Sequence, residues 1–413
     1  MAIQKRKNSY LVTISNGYDS NGKQIRETAT FVPDPTKTEK QNMKDLQLFA
    51  LDFEKKVKSG KYLDGEKITF KDFVNTWKED YAAQHLQQTT IETSEQILRD
   101  HVLPVIGHMK LARIQPANLI RLYNNMIKQR NDGTTPGYST ATITRTHAVI
   151  SGILSTAKRW NIILDNPAER VTPPKQAETT EGVKFFTAEQ TALFLDEVDS
   201  ETANGTLKEQ FKLYFHLAIY CGLRRSELVA LEWSDLDFVN NTVSISKATV
   251  HVHGGAMTKE PKSRRSARVI SVPVSVMAIA KQHRAEQLRY QMSLGTYWQG
   301  ENYLFIRDNG QQMNPQTPTK VFRKIVQRYN LAADEPLPDI PLHGLRHTSA
   351  TLLISQNVDV RTVSGRLGHA QTRTTLDIYA HQLTEIDRAA AVALEDLILN
   401  KQQINNKQEK RTS

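Results

Sequence analysis

A single cysteine, Cys221, stands in 413 residues, so no disulfide can close within the chain and no cysteine-based zinc site can be built. No apolar run reaches the roughly 18 residues that a membrane helix needs. The opening MAIQKRKNSY holds no apolar core segment, and no signal peptide is expected. The chain has no P-loop pattern, no HExxH and no acidic triad, which removes the usual signatures of ATP-driven and metal-dependent chemistry. What is abundant is positive charge: 54 Lys and Arg against 44 Asp and Glu, a net +10, with a pI near 9.4. That balance favours a polyanionic partner, nucleic acid ahead of a membrane surface; a basic protein without such a partner is the ordinary alternative. With 39% hydrophobic and 24% charged residues the chain is globular, and its length suits two or three domains.

The pattern along the chain divides it. Residues 1–65 read as a small unit: strands at 10–16 and 25–32, a helix over about 38–58, and a basic opening of Lys5, Arg6 and Lys7. Residues 68–165 read as helical. Phe70, Phe73, Val74, Trp77 and Tyr81 form one apolar stripe, and Leu119, Ile120, Tyr123, Met126 and Ile127 another. Ser139 is placed to cap a third helix, with Ile143, Ile150, Ile153, Leu154 and Ala157 facing inward. Residues 166–184, rich in Pro, Thr and charge, are expected to form a linker. The last unit spans 185–399, opening with a capping box of Thr187 and Gln190. It runs through helices to about 231, a β pair around a basic loop near 242–273, and mainly helices after 274. Residues 400–413 have little to bury and should form a flexible tail.

Four stretches of this unit set polar groups beside apolar sequence. In YCGLRRSELVALEW (220–233) Gly222 ends one helix and Arg224 opens the next, with Glu227 three residues on and able to orient it. TKEPKSRRSARVISVP (258–273) puts Lys262 in a loop between strands, with Lys259, Arg264 and Arg265 close by. HGLRHTSATLL (343–353) aligns His343 and Arg346 on one helical face, with His347 one residue further round. GRLGHAQTRTTLDIYAH (365–381) holds His369 after a helix-ending Gly368, and Tyr379 ten residues later. Taken singly, each has a plain reading: a solvated Arg–Glu pair, an exposed loop lysine, a chance HxxR, an amphipathic tyrosine.

Taken in order, Arg, Lys, His-x-x-Arg, His, Tyr resembles the tyrosine recombinase (phage integrase) family, and CGLRRSEL, HGLRHTSATLL and LGHAQTRTTLDIYAH are close to its signature stretches. The resemblance implies a multidomain fold, mainly α with small β. Its parts are an arm-type DNA-binding unit (a three-stranded sheet with a helix), a helical core-binding domain and an α+β catalytic domain. It also implies an enzyme that needs neither metal nor cofactor. Arg224 and Arg346 would clamp the scissile phosphate, since guanidinium offers a charged planar fork that matches phosphate oxygens. Tyr379 would be the nucleophile, forming a 3′-phosphotyrosine and freeing a 5′-hydroxyl. Lys262 would protonate the leaving oxygen, His343 would act as general base or phosphate donor, and His369 would add a hydrogen bond. Glu227 and His347 would support them. Lys5, Arg6 and Lys7 would contact arm-site DNA.

The function so implied is site-specific integration and excision of a prophage or mobile element. Implied partners are double-stranded DNA at core and arm sites, three further copies in a homotetramer, an excision factor and a host DNA-bending protein. No membrane is implied, and the expected location is cytoplasmic and nucleoid-associated. An apolar stripe of Ile386, Ala389, Ala390, Ala393, Leu394 and Leu397 suits docking on a neighbouring protomer or on its own domain. Two other readings stay open on sequence: a type IB topoisomerase, and a non-catalytic DNA-binding regulator.

Overall fold

The computed structural model describes residues 1–18, 22–58, 64–128, 137–174, 184–252, 255–259, 267–368 and 395. They fall into two units, Met1–Glu178 and Thr179–Ser413. Among the described residues no helix is long and apolar enough to cross a membrane.

The first unit opens with an antiparallel sheet, β1 (Ala2–Arg6), β2 (Ser9–Tyr18) and β3 (Gln24–Phe31), followed by α1 (Glu39–Lys58). Alternation along β2 sends Val12 and Ile14 into a small core with Leu46, Ala50, Phe53 and Val57 of α1. Two strands are legible in sequence; the structure has three. β1 escapes pattern reading because every one of its residues is exposed, so it shows no buried face. It carries Lys5 and Arg6 along the sheet edge, and Lys7 follows in the turn. Lysine on an open edge also discourages pairing with another chain.

A second core gathers α2 (Phe70–Trp77), α4 (Gln88–Ile97), α5 (Leu103–Ile106), α6 (Pro116–Lys128) and α7 (Thr140–Arg159), while the short α3 (Ala83–His85) stays exposed. Thr69 and Asp72 close a capping box at the start of α2. Ser139 caps α7 as expected, accepting from Thr142 N at 3.3 Å. The stripe on α6 needs correction. Leu119, Leu122, Tyr123 and Met126 are buried, whereas Ile120 and Ile127 are exposed because they lie one step round the helix. The expected linker also begins later than residue 166. Asn166 is fully buried, donating to Ser151 O and Ser155 Oγ, and Ala168 and Val171 join the second core. Polar composition misleads there because a buried asparagine satisfies its amide on α7.

The second unit is built around α9 (Glu209–Cys221), a helix buried on nearly every side, as its apolar run dictates. Against it pack α8 (Ala188–Ala203), α10 (Arg225–Val229), α11 (Val274–Leu294) and α13 (Gly344–Ser355). α12 (Thr317–Ala332) and α14 (Val360–Leu367) complete the helices used below. The capping box of Thr187 and Gln190 forms at the start of α8. The expected β pair is two separate pairings. β4 (Leu236–Asp237), β5 (Thr242–Ile245) and β8 (Arg268–Ser271) make one antiparallel sheet, while β6 (Ala248–Val252) and β7 (Gly255–Lys259) make a hairpin. TVSISKATVHV thus breaks between β5 and β6, since its two halves pair with different strands.

Gly222 ends α9 in the left-handed region at φ +61, and a Cβ there would stand 2.6 Å from Leu367 Cδ2 and 3.1 Å from Ser349 Oγ. Backbone strain and contact add, so Gly222→Ala should cost about 1–3 kcal/mol. Urea unfolding checks this as a lowered midpoint with an unchanged slope.

Candidate active site

The turn after Gly222 delivers Arg224 as the N-cap of α10. Its guanidinium donates to Glu227 Oε1 at 2.8 Å, and its backbone N–H to Glu227 Oε2 at 2.9 Å. One carboxylate therefore orients both the side chain and the main chain of Arg224. The other arm of the fork donates to Gly368 O at 3.0 Å, across 144 positions of sequence.

Glu227 is itself buried and held from a second side. Arg268 on β8 presents its fork to the same carboxylate, Nη2 to Oε2 at 2.9 Å and Nη1 to Oε1 at 3.2 Å, and its Nε donates to Arg366 O at 2.8 Å. Burial works to raise the Glu227 pKa; the hydrogen bonds and charge of Arg268, then those of Arg224, outweigh it and hold the carboxyl below its ordinary value. Breaking a buried pair of this kind typically costs about 3–5 kcal/mol. Gly368 ends α14 in the left-handed region, φ +69, and lets the backbone pass against Arg268: a Cβ there would meet Nη1 at 2.7 Å.

Arg346 lies one turn into α13 and is buried, its Nη1 donating to Gly222 O at 2.8 Å across 124 positions. That bond joins the C-terminus of α9 to α13 and brings Arg346 to the turn that carries Arg224. α13 is pinned at its start by Thr348, whose hydroxyl donates to Gly344 O and accepts Phe186 N–H. His343 sits at the N-cap with an open outer edge. Crowding by neighbouring atoms, then the charges of Arg346 and Arg224, lower its pKa, so the ring stays neutral and able to accept a proton. His347 stacks edge-on against it, ring centroids 4.9 Å apart.

Arg224, Arg225, His343 and Arg346, together with Tyr214 and Val250, line one cleft of about 480 Å³. Of the residues expected at the site, Arg224, Glu227, His343, Arg346 and His347 are brought together. Lys262, His369 and Tyr379, with the apolar stripe over 386–397, lie outside the described residues. Lys5, Arg6 and Lys7 are exposed on the first unit. Sequence reasoning missed Arg268, since nothing in ARVISVP distinguishes an arginine that points inward from one that faces solvent.

Burial, then the nearby His343 and Arg346, press the His347 pKa down to about 4. The unfolded chain therefore takes up this proton first, near pH 6.5. Stability present above that pH should fall between about 6.5 and 4, by at most about 3 kcal/mol from this group. Urea midpoints measured across that range should slope less steeply in His347→Gln.

Comparison with known proteins matches residues 184–385 to the phage integrase family and residues 69–127 to the phage integrase N-terminal SAM-like domain. A tyrosine recombinase XerC-like protein of Caldanaerobacter subterraneus is 26% identical, over 96% of this chain and 98% of its own length. The ICEBs1 integrase of Bacillus subtilis is 26% identical, over 63% of this chain and 67% of its own. Among solved structures, the Tn1549 transposon integrase bound to transposon right-end DNA aligns with a TM-score of 0.65 at 21% identity, covering 79% of this chain and 100% of that one. A lambda integrase tetramer on a Holliday junction aligns at 0.53 and 15%, covering 90% and 96%. The structural likenesses speak to the fold, mainly helical with small sheets, and the two family matches speak to descent. The chain belongs to the phage integrase family of tyrosine recombinases, enzymes that transfer DNA strands at specific sites.

Proposed function

We propose that this recombinase integrates and excises a mobile element or prophage, cutting and rejoining DNA through a 3′-phosphotyrosine. The observation that carries the reading is the convergence of Arg224, His343 and Arg346 on one cleft. A phosphodiester under attack gathers negative charge on its non-bridging oxygens. Two fixed guanidiniums aimed at that charge stabilise the transition state, by about 10²–10³ in rate for each donor by analogy with oxyanion holes. Tyr379 attacks phosphorus, its proton passing to a neutral His343 or to solvent, and the 5′-oxygen leaves with a proton from a lysine at the end of β7 or just beyond. His369 follows Gly368, whose carbonyl is held by Arg224, and donates to the phosphate. The tyrosyl ester conserves the energy of the broken bond, so a 5′-hydroxyl from a second duplex can rejoin it without ATP.

In this reading residues 1–65 form an arm-site unit using Lys5, Arg6 and Lys7, 68–165 a core-site unit, and 185–399 the catalytic domain. Four copies assemble on DNA, helped by an excision factor and a host DNA-bending protein, and the apolar stripe at 386–397 docks between protomers. The enzyme works in the cytoplasm, at the nucleoid.

The test uses nicked duplexes tiled across the DNA that flanks the gene. Denaturing gels should show a protease-sensitive protein–DNA adduct in EDTA without nucleotide, and intermolecular joint products when two duplexes are supplied. Relaxation without joint products indicates a topoisomerase; binding without an adduct indicates a regulator.

A further inference from the structure

We propose that Arg268 is a positioning residue for DNA cleavage, setting Arg224 through Glu227 and tying that pair to the end of α14. The inference rests on the reading of Arg224 as a phosphate clamp, and it adds a residue that lies on a different strand and lines no part of the cleft.

The geometry is specific. Arg224 takes Oε1 with its side chain and Oε2 with its backbone; Arg268 engages the same two oxygens from the far side. A carboxylate held by the Arg268 fork on one side and by the side chain and backbone of Arg224 on the other is fixed in place, and Arg224 inherits that constraint. The third donor of Arg268, Nε, fixes the carbonyl of Arg366, two residues before the Gly368 carbonyl that Arg224 itself holds. Arg268 therefore touches both anchors of Arg224, the carboxylate and the end of α14, while remaining buried. Burying the Arg268 fork here would be costly without Glu227, and burying Glu227 would be costly without Arg268. The charged groups that act on Glu227 are Arg268 from β8 and Arg224 at its own N-cap, and the titratable ring that feels its charge is His343 of α13.

Removing Arg268 leaves burial of Glu227 less opposed, so its carboxyl should protonate at higher pH and release the Arg224 fork. The experiment is single-turnover adduct formation from pH 5 to 9 with the full chain and the nicked duplexes above. It compares Arg268→Gln, Arg268→Lys, Glu227→Gln and the double variant Arg268→Gln/Glu227→Gln. Arg268→Gln should slow cleavage at pH 7 by about 10- to 100-fold, the range seen when a group that orients a reacting centre is lost. Its acid limb should move up by about one pH unit or more. Arg268→Lys, which keeps charge without the fork, should restore part of the rate and part of the limb. The double variant should be no slower than Glu227→Gln alone, because both changes act on one path.

A loss equal at every pH, or losses that multiply in the double variant, would reduce Arg268 to a packing role and overturn the proposal. Should Arg268→Gln unfold, as thermal melting would report, the Arg268→Lys profile decides the same question. If Arg224→Ala is inactive while the Arg268 variants match wild type, this inference fails and the proposed function stands. A wild-type chain that forms no adduct sinks both.

Discussion

Tyr379→Phe should bind attachment-site DNA as the unaltered chain does and form no covalent adduct, a fall in cleavage of about 10⁴-fold or more. Phenylalanine keeps the ring and removes the hydroxyl that attacks phosphorus in the proposed mechanism, while affinity for DNA comes mainly from phosphate contacts by Lys and Arg. The two observables should therefore separate completely: an unchanged gel shift and an empty adduct lane. Tyr214 is the tyrosine among the described residues that lines the cleft, and it cannot substitute. It is fully buried, and desolvation pushes its phenol above the ordinary range, away from the phenolate that attack requires. An adduct that survives in Tyr379→Phe would move the nucleophile elsewhere and with it the whole mechanism.

A second large effect identifies the general acid. β7 ends at Lys259, whose backbone pairs with Ala248; two steps along, Met257 pairs with Val250. Val250, the register partner of Met257, lines the cleft, and Lys259 follows two residues along the same strand. Lys262 lies three residues further on, outside the described residues. The register thus favours Lys259 over the Lys262 expected from sequence, and Lys259→Ala should lose about 10²–10⁴ in cleavage rate. The loss should be largely restored on DNA with sulfur at the 5′-bridging position. A thiolate departs without protonation, so the acid becomes dispensable. Arg346→Ala should gain nothing from the sulfur, because in the proposed mechanism it acts on the non-bridging oxygens. If Lys262→Ala shows the rescued defect and Lys259→Ala does not, the assignment reverts to the loop.

Elements with a clear local signal are legible in the sequence: α2, α7, the start of α8 and the α9–α10 break at Gly222. In each, local chemistry and burial agree. Strand β1 was not legible, because an edge strand exposed along its length carries no periodic signal. Nor was the split of TVSISKATVHV between two sheets, since both halves have the same strand-forming composition. Asn166 read as linker although it is buried, because an amide satisfied by α7 looks in sequence like any polar residue.

The site divides the same way. Residue types and their order determined by themselves that the chain carries, in order, an arginine, a lysine-bearing loop, an HxxR, a histidine and a tyrosine between residues 224 and 379, which is enough to name the chemistry. Tertiary structure alone decided that Gly222 O meets Arg346 and that Gly368 O meets Arg224. It alone placed Arg268 behind Glu227. Hydrogen bonds between residues more than a hundred positions apart depend on how α9, α13 and α14 pack, and packing is set by the sum of many apolar contacts that no short motif contains.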